Sequence, residues 1–158
     1  MTHESQAPLA NPASTDVRID VRGPRFGAAV TLVLALIALL LGATVAGVVL
    51  MAVLAVLFVP GAIVGPQATL QASLFKRFVL PRLAPTTETE SFRAPRFAQQ
   101  IGLAFSVLAV LFGALDSSVG FFIFAGFVTV ASFLNAVFNF CLGCEIYLLA
   151  KRSTTRHA

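Results

Sequence analysis

The chain has 158 residues, of which 58% are hydrophobic and 11% charged, against roughly 45–50% apolar and about 25% charged in soluble domains. That composition excludes an ordinary water-soluble globule and leaves no room for a large soluble catalytic domain. From Phe26 to Phe75 no Asp, Glu, Lys or Arg occurs, and from Phe97 to Ala150 only Asp116 and Glu145 do. At about 1.5 Å of rise per residue a hydrocarbon core of ~30 Å takes ~20 apolar residues, so each block holds two crossings and the chain four.

Residues 1–18 read as a disordered cytoplasmic tail, because they carry too little apolar surface to order themselves. The first 25 residues contain Glu4, Asp16, Asp20 and three prolines, with no basic segment leading directly into a short apolar stretch. They are not a signal peptide. His3 and His157 fall in the two tails and read as inert.

A first unit, residues 19–80, opens on Arg22-Gly23-Pro24-Arg25-Phe26. Pro24 suits the first turn of a helix, where its missing N–H would be unpaired anyway. Arg22 and Arg25 then meet lipid phosphates, or a ligand, and Phe26 anchors at the acyl boundary. Helix one is expected over Gly27–Leu41 and helix two over Thr44–Val64, joined by a tight turn. Small residues at four-residue spacing, Ala43 and Gly47 here and Ala125 and Thr129 later, let helices approach closely in lipid. Gly65-Pro66 stops helix two. Over Gln67–Leu80 the apolar Leu70, Leu74 and Phe78 and the polar Gln67, Gln71, Lys76 and Arg77 divide between two faces, predicting an amphipathic helix in the membrane interface. Residues 81–91, with two prolines, several hydroxyls and two glutamates, read as a solvated cytoplasmic linker.

The second unit, residues 92–150, opens on Arg93-Ala94-Pro95-Arg96-Phe97, with the same anchoring role expected of Arg93 and Arg96. Helix three is expected over Phe97–Leu115, a turn and cap at Asp116, and helix four from Val119 onward. Residues 151–158 form a basic C-terminal tail. The two Arg-x-Pro-Arg-Phe segments lie 71 residues apart, as do Leu40-Leu41-Gly42-Ala43 and Leu111-Phe112-Gly113-Ala114. Two matches at one offset predict a duplicated hairpin, the two copies sharing one orientation about an axis along the membrane normal. The predicted fold is therefore all-α: an integral membrane four-helix bundle of two duplicated hairpins with a juxtamembrane amphipathic helix.

All eleven basic residues lie before, between or after the blocks. Those three segments share one side of the membrane, and a basic excess marks the cytoplasmic side, so both termini are placed inside. The same bias accounts for the net charge of +4, and no nucleic-acid partner is implied.

The chemistry-bearing segment is Phe138-Asn139-Phe140-Cys141-Leu142-Gly143-Cys144-Glu145-Ile146-Tyr147, which holds both cysteines as a C-x-x-C. About 33 Å of helix from Val119 puts Cys141 across the bilayer, at the cytoplasmic mouth of the bundle. By the repeat offset, this segment is equivalent to the interfacial helix of the first unit. On a continuous helix, residues three apart share a face, which brings both thiols to one partner or cleft. The reducing cytoplasm argues against a permanent structural disulfide and leaves transient redox or persulfide chemistry, metal capture or plain packing. A low thiol pKa would come from Lys151, Arg152 or a helix restarting at Asn139 as N-cap, with Glu145 opposing. Two thiols and one carboxylate are too few for a structural zinc site unless a homo-oligomer supplies more, so no metal and no cofactor are assigned. Asn135 and Asn139, four apart, are expected opposite the cysteines, bonded to a neighbouring helix or lining a substrate path. Glu145 is expected solvated, paired with Arg152, or carrying a proton.

These features together, the two Arg-x-Pro-Arg-Phe hairpins, Ser91–Leu103 and above all Phe140-Cys141-Leu142-Gly143-Cys144, resemble the bacterial domain-of-unknown-function family 4395 over about residues 16–150. The resemblance implies a four-span protein of a bacterial plasma (inner) membrane, with members sometimes encoded near thioredoxin-like or sulfurtransferase proteins. It carries no established activity onto Cys141 or Cys144. Two functions stay open. One is a thiol-redox or sulfur-handling component that exchanges with a cytosolic thioredoxin-like or sulfurtransferase-like partner. The other is a small transporter or structural scaffold in which the cysteines are packing residues.

Overall fold

The computed structural model describes residues 18–155, so the expected tail before them, His3 and His157 lie outside the described residues. A short strand β1 (Arg18–Asp20) leads into α1 (Arg22–Leu41) and α2 (Val45–Ile63). After a turn of 3-10 helix at Pro66–Ala68 comes α3 (Leu70–Leu74), continued by π and 3-10 turns to Arg82. Strand β2 (Thr89–Ser91) then precedes α4 (Arg93–Ala114), α5 (Ser118–Phe138) and α6 (Leu142–Thr155). The helices α1, α2, α4 and α5 have 20, 19, 22 and 21 residues, each about the 30 Å needed to cross a bilayer. All four are apolar enough to do so.

Helices α1 and α4 begin earlier than expected, at Arg22 and Arg93. Pro24 and Pro95 become the third helical residues, where the absent N–H has no partner to lose. The Arg-x-Pro-Arg segments are thus helical first turns.

The side-chain pattern is that of a helix bundle in lipid. Ala35, Ala38, Ser106 and Ala109 are fully buried, whereas Leu40 and Val45 are 88% and 82% exposed. Small residues take the helix contacts and large aliphatics face outward, because lipid removes the incentive to hide the latter. The core is Met51, Leu54 and Phe58 of α2 with Ala109 of α4 and Phe121 and Val128 of α5. Packing crosses between hairpins: α2 lies chiefly against α4, and α1 against α5.

Turn chemistry closes both hairpins. Gly42 ends α1 at φ 67°, and Thr44 Oγ1 accepts from the Gly47 N–H at 3.3 Å to start α2. Asp116 makes the second turn at φ 56°, a conformation aspartate tolerates better than most side chains. The cap position before α5 is Ser117, without a side-chain bond.

At the basic end of the bundle, β1 and β2 pair antiparallel, Ile19 facing Glu90. Arg18 reinforces the ribbon, donating to Thr89 Oγ1 and to the Thr89 carbonyl, each at 2.8 Å. Part of the expected linker is therefore structured. Residues 66–82 are less regular than a single amphipathic helix, and their faces divide differently. Gln71, Ala72 and Phe75 are buried against the bundle, while Leu70, Leu74 and Phe78 are exposed. Polar Gln71 is turned inward.

Candidate functional site

The fourth span does not run on through the cysteines. Asn139 adopts a left-handed conformation, φ 54°, and closes α5, its N–H bonding to the Leu134 carbonyl. A fresh helix then starts after Cys141, whose carbonyl accepts from the Glu145 N–H at 3.1 Å. Asn139 is therefore a C-cap rather than the N-cap expected of a restart, and it no longer shares a helix face with Asn135. The N-cap position of α6 belongs to Cys141, and Cys144 is its third residue.

Within that first turn the two sulfurs are bonded as a disulfide, with Cα atoms 5.2 Å apart. Unpaired N–H groups of a helix first turn favour negative charge, so the reduced pair would sit where a thiolate is stabilised. Both cysteines are half-buried, and Glu145 beside them is exposed. Lys151 and Arg152 lie in the last turns of α6, which extends to Thr155 through part of the expected tail. They are remote from the thiols along the helix, ~10 Å or more at 1.5 Å per residue.

Two contacts hold α6 in place. Tyr147 packs on Phe97 of α4, ring centroids 5.8 Å apart. Gly143 lies so close to α4 that an added Cβ would come within 2.7 Å of the Ala98 Cα. The glycine between the cysteines serves this close approach.

Behind the disulfide is a cavity of about 340 Å³, bounded by the first turns of α1, α4 and α6, the 66–71 turn and the ends of α2 and α5. Its wall includes Cys141 and the polar Thr31, Gln71, Ser132 and Asn135. Phe58, Phe105 and Phe127 supply much of the apolar remainder. Cys144 is not among the wall residues. Gln71 is 6% exposed and its Oε1 has no hydrogen-bond partner. The sequence pattern predicts Gln71 on a polar outer face; in the structure that side packs inward, with its neighbour Phe75 in tilted contact with Phe26 at 5.7 Å.

The four arginines expected at the headgroups have separate surroundings. Arg25 Nε donates to the Ala136 carbonyl at 2.9 Å, and Arg96 Nε to the Ala62 carbonyl at 3.2 Å. Each thus covers a carbonyl in the last turn of a helix from the other hairpin, where positive charge is favoured. Gln100 Nε2 shares the Ala62 carbonyl at 3.1 Å. Arg22 pairs with Asp20 at 3.0 Å and donates to the Ala84 carbonyl. The Arg93 side chain is exposed. Among the described residues no three His, Cys, Asp or Glu side chains come together.

A family model described as a domain of unknown function, DUF4395, matches residues 19–152. The chain belongs to this family. The DUF4395 match runs from β1 through nearly all of α6, so the C-x-x-C, the cavity and all four spans lie inside it. No curated protein and no solved structure matches this DUF4395 chain.

Proposed function

We propose that this protein is a membrane component of thiol–disulfide exchange, acting through Cys141 and Cys144 on the cytoplasmic side. One observation carries the reading: the cysteines are bonded within the first turn of α6, and Cys141 alone opens onto a cavity. A thiolate of a cytosolic dithiol partner attacks one sulfur of the pair, forming a mixed disulfide and releasing the other as a thiolate. The partner's second thiolate then displaces the first. The partner leaves oxidised, and Cys141 and Cys144 take up its two electrons and two protons. A thioredoxin-like protein, which carries two thiols, has the chemistry to serve as that partner.

The cytoplasmic placement follows from the charge bias. Arg18, Arg22, Arg25, Arg93 and Arg96 stand in β1 and the first turns of α1 and α4, at the ribbon end of the bundle, and a basic excess favours the inside of a bacterial plasma membrane. Reporter fusions at Ser91 and Ser117 should report opposite sides; the same side from both removes the topology. The apolar Leu70, Leu74 and Phe78, exposed beside Lys76 and Arg77, suit a segment lying in the interface at that end.

The two hairpins read as copies of one unit. Phe26 meets Phe75 and Phe97 meets Tyr147 at 5.7 and 5.8 Å, both tilted by 43°. Met51, Leu54, Ala55 and Phe58 are buried in α2 at the spacing of Ala125, Val128, Thr129 and Ser132 in α5. Aligned on Phe75 and Tyr147, 72 residues apart, Thr69 is the counterpart of Cys141. Thr69 starts α3 with a hydroxyl that accepts from the Ala72 N–H at 3.1 Å, while at the same place in the second copy the chain carries sulfur. The chemistry belongs to one copy of a duplicated frame.

Inverted membrane vesicles labelled with an impermeant maleimide test the function. Labelling of two thiols is expected to appear when a reduced thioredoxin-like protein is added, with that protein oxidised in step. Thiols that never label and never change state would leave the packing role, in a scaffold or small transporter, as the account.

A further inference from the structure

We propose that the cavity beside Cys141 binds a quinone dissolved in the bilayer, and that this quinone is what reoxidises the Cys141–Cys144 pair. The inference rests on the exchange function above and names the second substrate of the same site.

Access comes first. Phe127, Val130, Leu142 and Ile146 all line the cavity and are all exposed on the apolar surface of α5 and α6. The cavity therefore opens sideways into lipid, and its ligand is one that partitions there. Charge comes second: among the described residues no Asp, Glu, Lys or Arg is in the wall. A sulfur oxyanion or phosphate would leave its counter-ions to enter, with nothing to replace them. The ligand is neutral.

Shape and polarity narrow it further. The volume of about 340 Å³ lies within the roughly 300–1,000 Å³ of small-molecule sites, which pair apolar walls with a few placed polar groups. Phe58, Phe105 and Phe127 offer faces to a flat ring. Gln71, more than nine-tenths buried, has an Oε1 without a partner, and a buried acceptor left unpaired is costly. An amide suits both forms of a quinone, its oxygen accepting from a quinol hydroxyl and its NH₂ donating to a quinone carbonyl.

The reaction balances without another reagent. The thiolate of Cys141, the cysteine that lines the cavity, adds to the quinone. The Cys144 thiolate then attacks the Cys141 sulfur, forming the disulfide and leaving the electron pair on the ring. Two electrons and the two thiol protons pass to the quinone, which leaves as quinol. Cys144, outside the wall, remains the sulfur available to resolve.

The test uses the full chain in nanodiscs, reduced with dithiothreitol and freed of excess reductant, with decylubiquinone as the probe. Quinol is expected to form in a one-to-one ratio with lost thiols, read by ultraviolet absorbance and by maleimide labelling, and to saturate with quinone concentration. Gln71→Leu should raise the half-saturating concentration about tenfold, by loss of one buried hydrogen bond, with Gln71→Asn intermediate. Phe127→Trp, narrowing the mouth, should slow oxidation without touching the cysteines. No quinone-dependent loss of thiols overturns the proposal, as does a rate indifferent to both positions. If the pair exchanges with a thioredoxin-like dithiol but not with the quinone, only this proposal fails; if it exchanges with neither, the exchange function fails as well.

Discussion

Cys141 and Cys144 are bonded to each other across the first turn of α6, with Cα atoms 5.2 Å apart. The bridge closes a very short loop, and chain entropy gives such a loop only roughly 2 kcal/mol of stabilisation. Cys141→Ser and Cys144→Ser are therefore expected to fold, with at most that loss in thermal stability. Each should expose one maleimide-reactive thiol without reduction, whereas the native chain should show two and only after reduction. Gel mobility after labelling checks it.

Gly143 is expected to be intolerant where Gly126 is not. A Cβ at Gly143 meets the Ala98 backbone at 2.7 Å, while one at Gly126 meets nothing within 4 Å. Gly143→Ala pushes α6 off α4 at a cost of about 1–3 kcal/mol and moves the cysteines from the cavity wall. Gly126→Ala should be within ~0.5 kcal/mol of the native chain. Thermal unfolding in detergent, followed by thiol labelling, compares the two.

Tyr147 holds α6 through its ring, not its hydroxyl. Its contact is the Phe97 ring, and no bond is made by its oxygen among the described residues. Tyr147→Phe is expected to be near neutral, and Tyr147→Ala to lose roughly 0.5–1.5 kcal/mol of ring pairing in addition to buried area. Hydrogen exchange should then quicken over α6 and stay slow over α4. The chain has one tyrosine and no tryptophan, so tyrosine fluorescence reports this docking directly.

Arg96 joins the two hairpins at the Ala62 carbonyl, 3.2 Å away. Arg96→Leu leaves that helix-end carbonyl to Gln100 alone. A loss of about 1–2 kcal/mol is expected, in line with a charge-assisted hydrogen bond at a helix C-terminus. Arg96→Lys should recover part of it, since a lysine keeps the charge without the planar fork. Denaturation of the three proteins in one detergent gives the ranking.

The ribbon should respond to pH from two directions. The Arg22 guanidinium beside Asp20 holds its carboxyl below the usual range, so that contribution is full above the ordinary aspartate pKa and is lost as pH falls through the depressed one. Burial pushes Glu90 up, so its contribution is full below the ordinary glutamate pKa and is lost as pH rises through the raised one. Strand protection is expected to peak in mildly acidic solution, between the two. Glu90→Gln should flatten the alkaline limb and leave the acid limb, as measured by hydrogen exchange at Ile19 and Asp20.

Much of this protein is written in its composition. Fifty residues from Phe26 to Phe75 without a charge admit no aqueous fold, and bilayer thickness then dictates four spans. The glycine at 42 and the break at Gly65-Pro66 place helix ends by local backbone chemistry, which sequence reports directly, whereas α1 and α4 begin two residues before the prolines at 24 and 95. The Cys-x-x-Cys stands out in the sequence because it holds both cysteines of the chain.

Tertiary structure alone decided what surrounds it. Whether the fourth span continued past Asn139 turned on a left-handed φ that asparagine permits but does not require, and that choice made Cys141 the start of a new helix. Gln71 read as outward because an amide beside Lys76 and Arg77 looks solvated. It is buried because Phe75 packs on Phe26 and carries that side of α3 inward. The cavity has no sequence signature, since it is a gap left among residues from every helix of the bundle. Local preference permits an element to begin or end at a given residue; only packing fixes which side chains share a space.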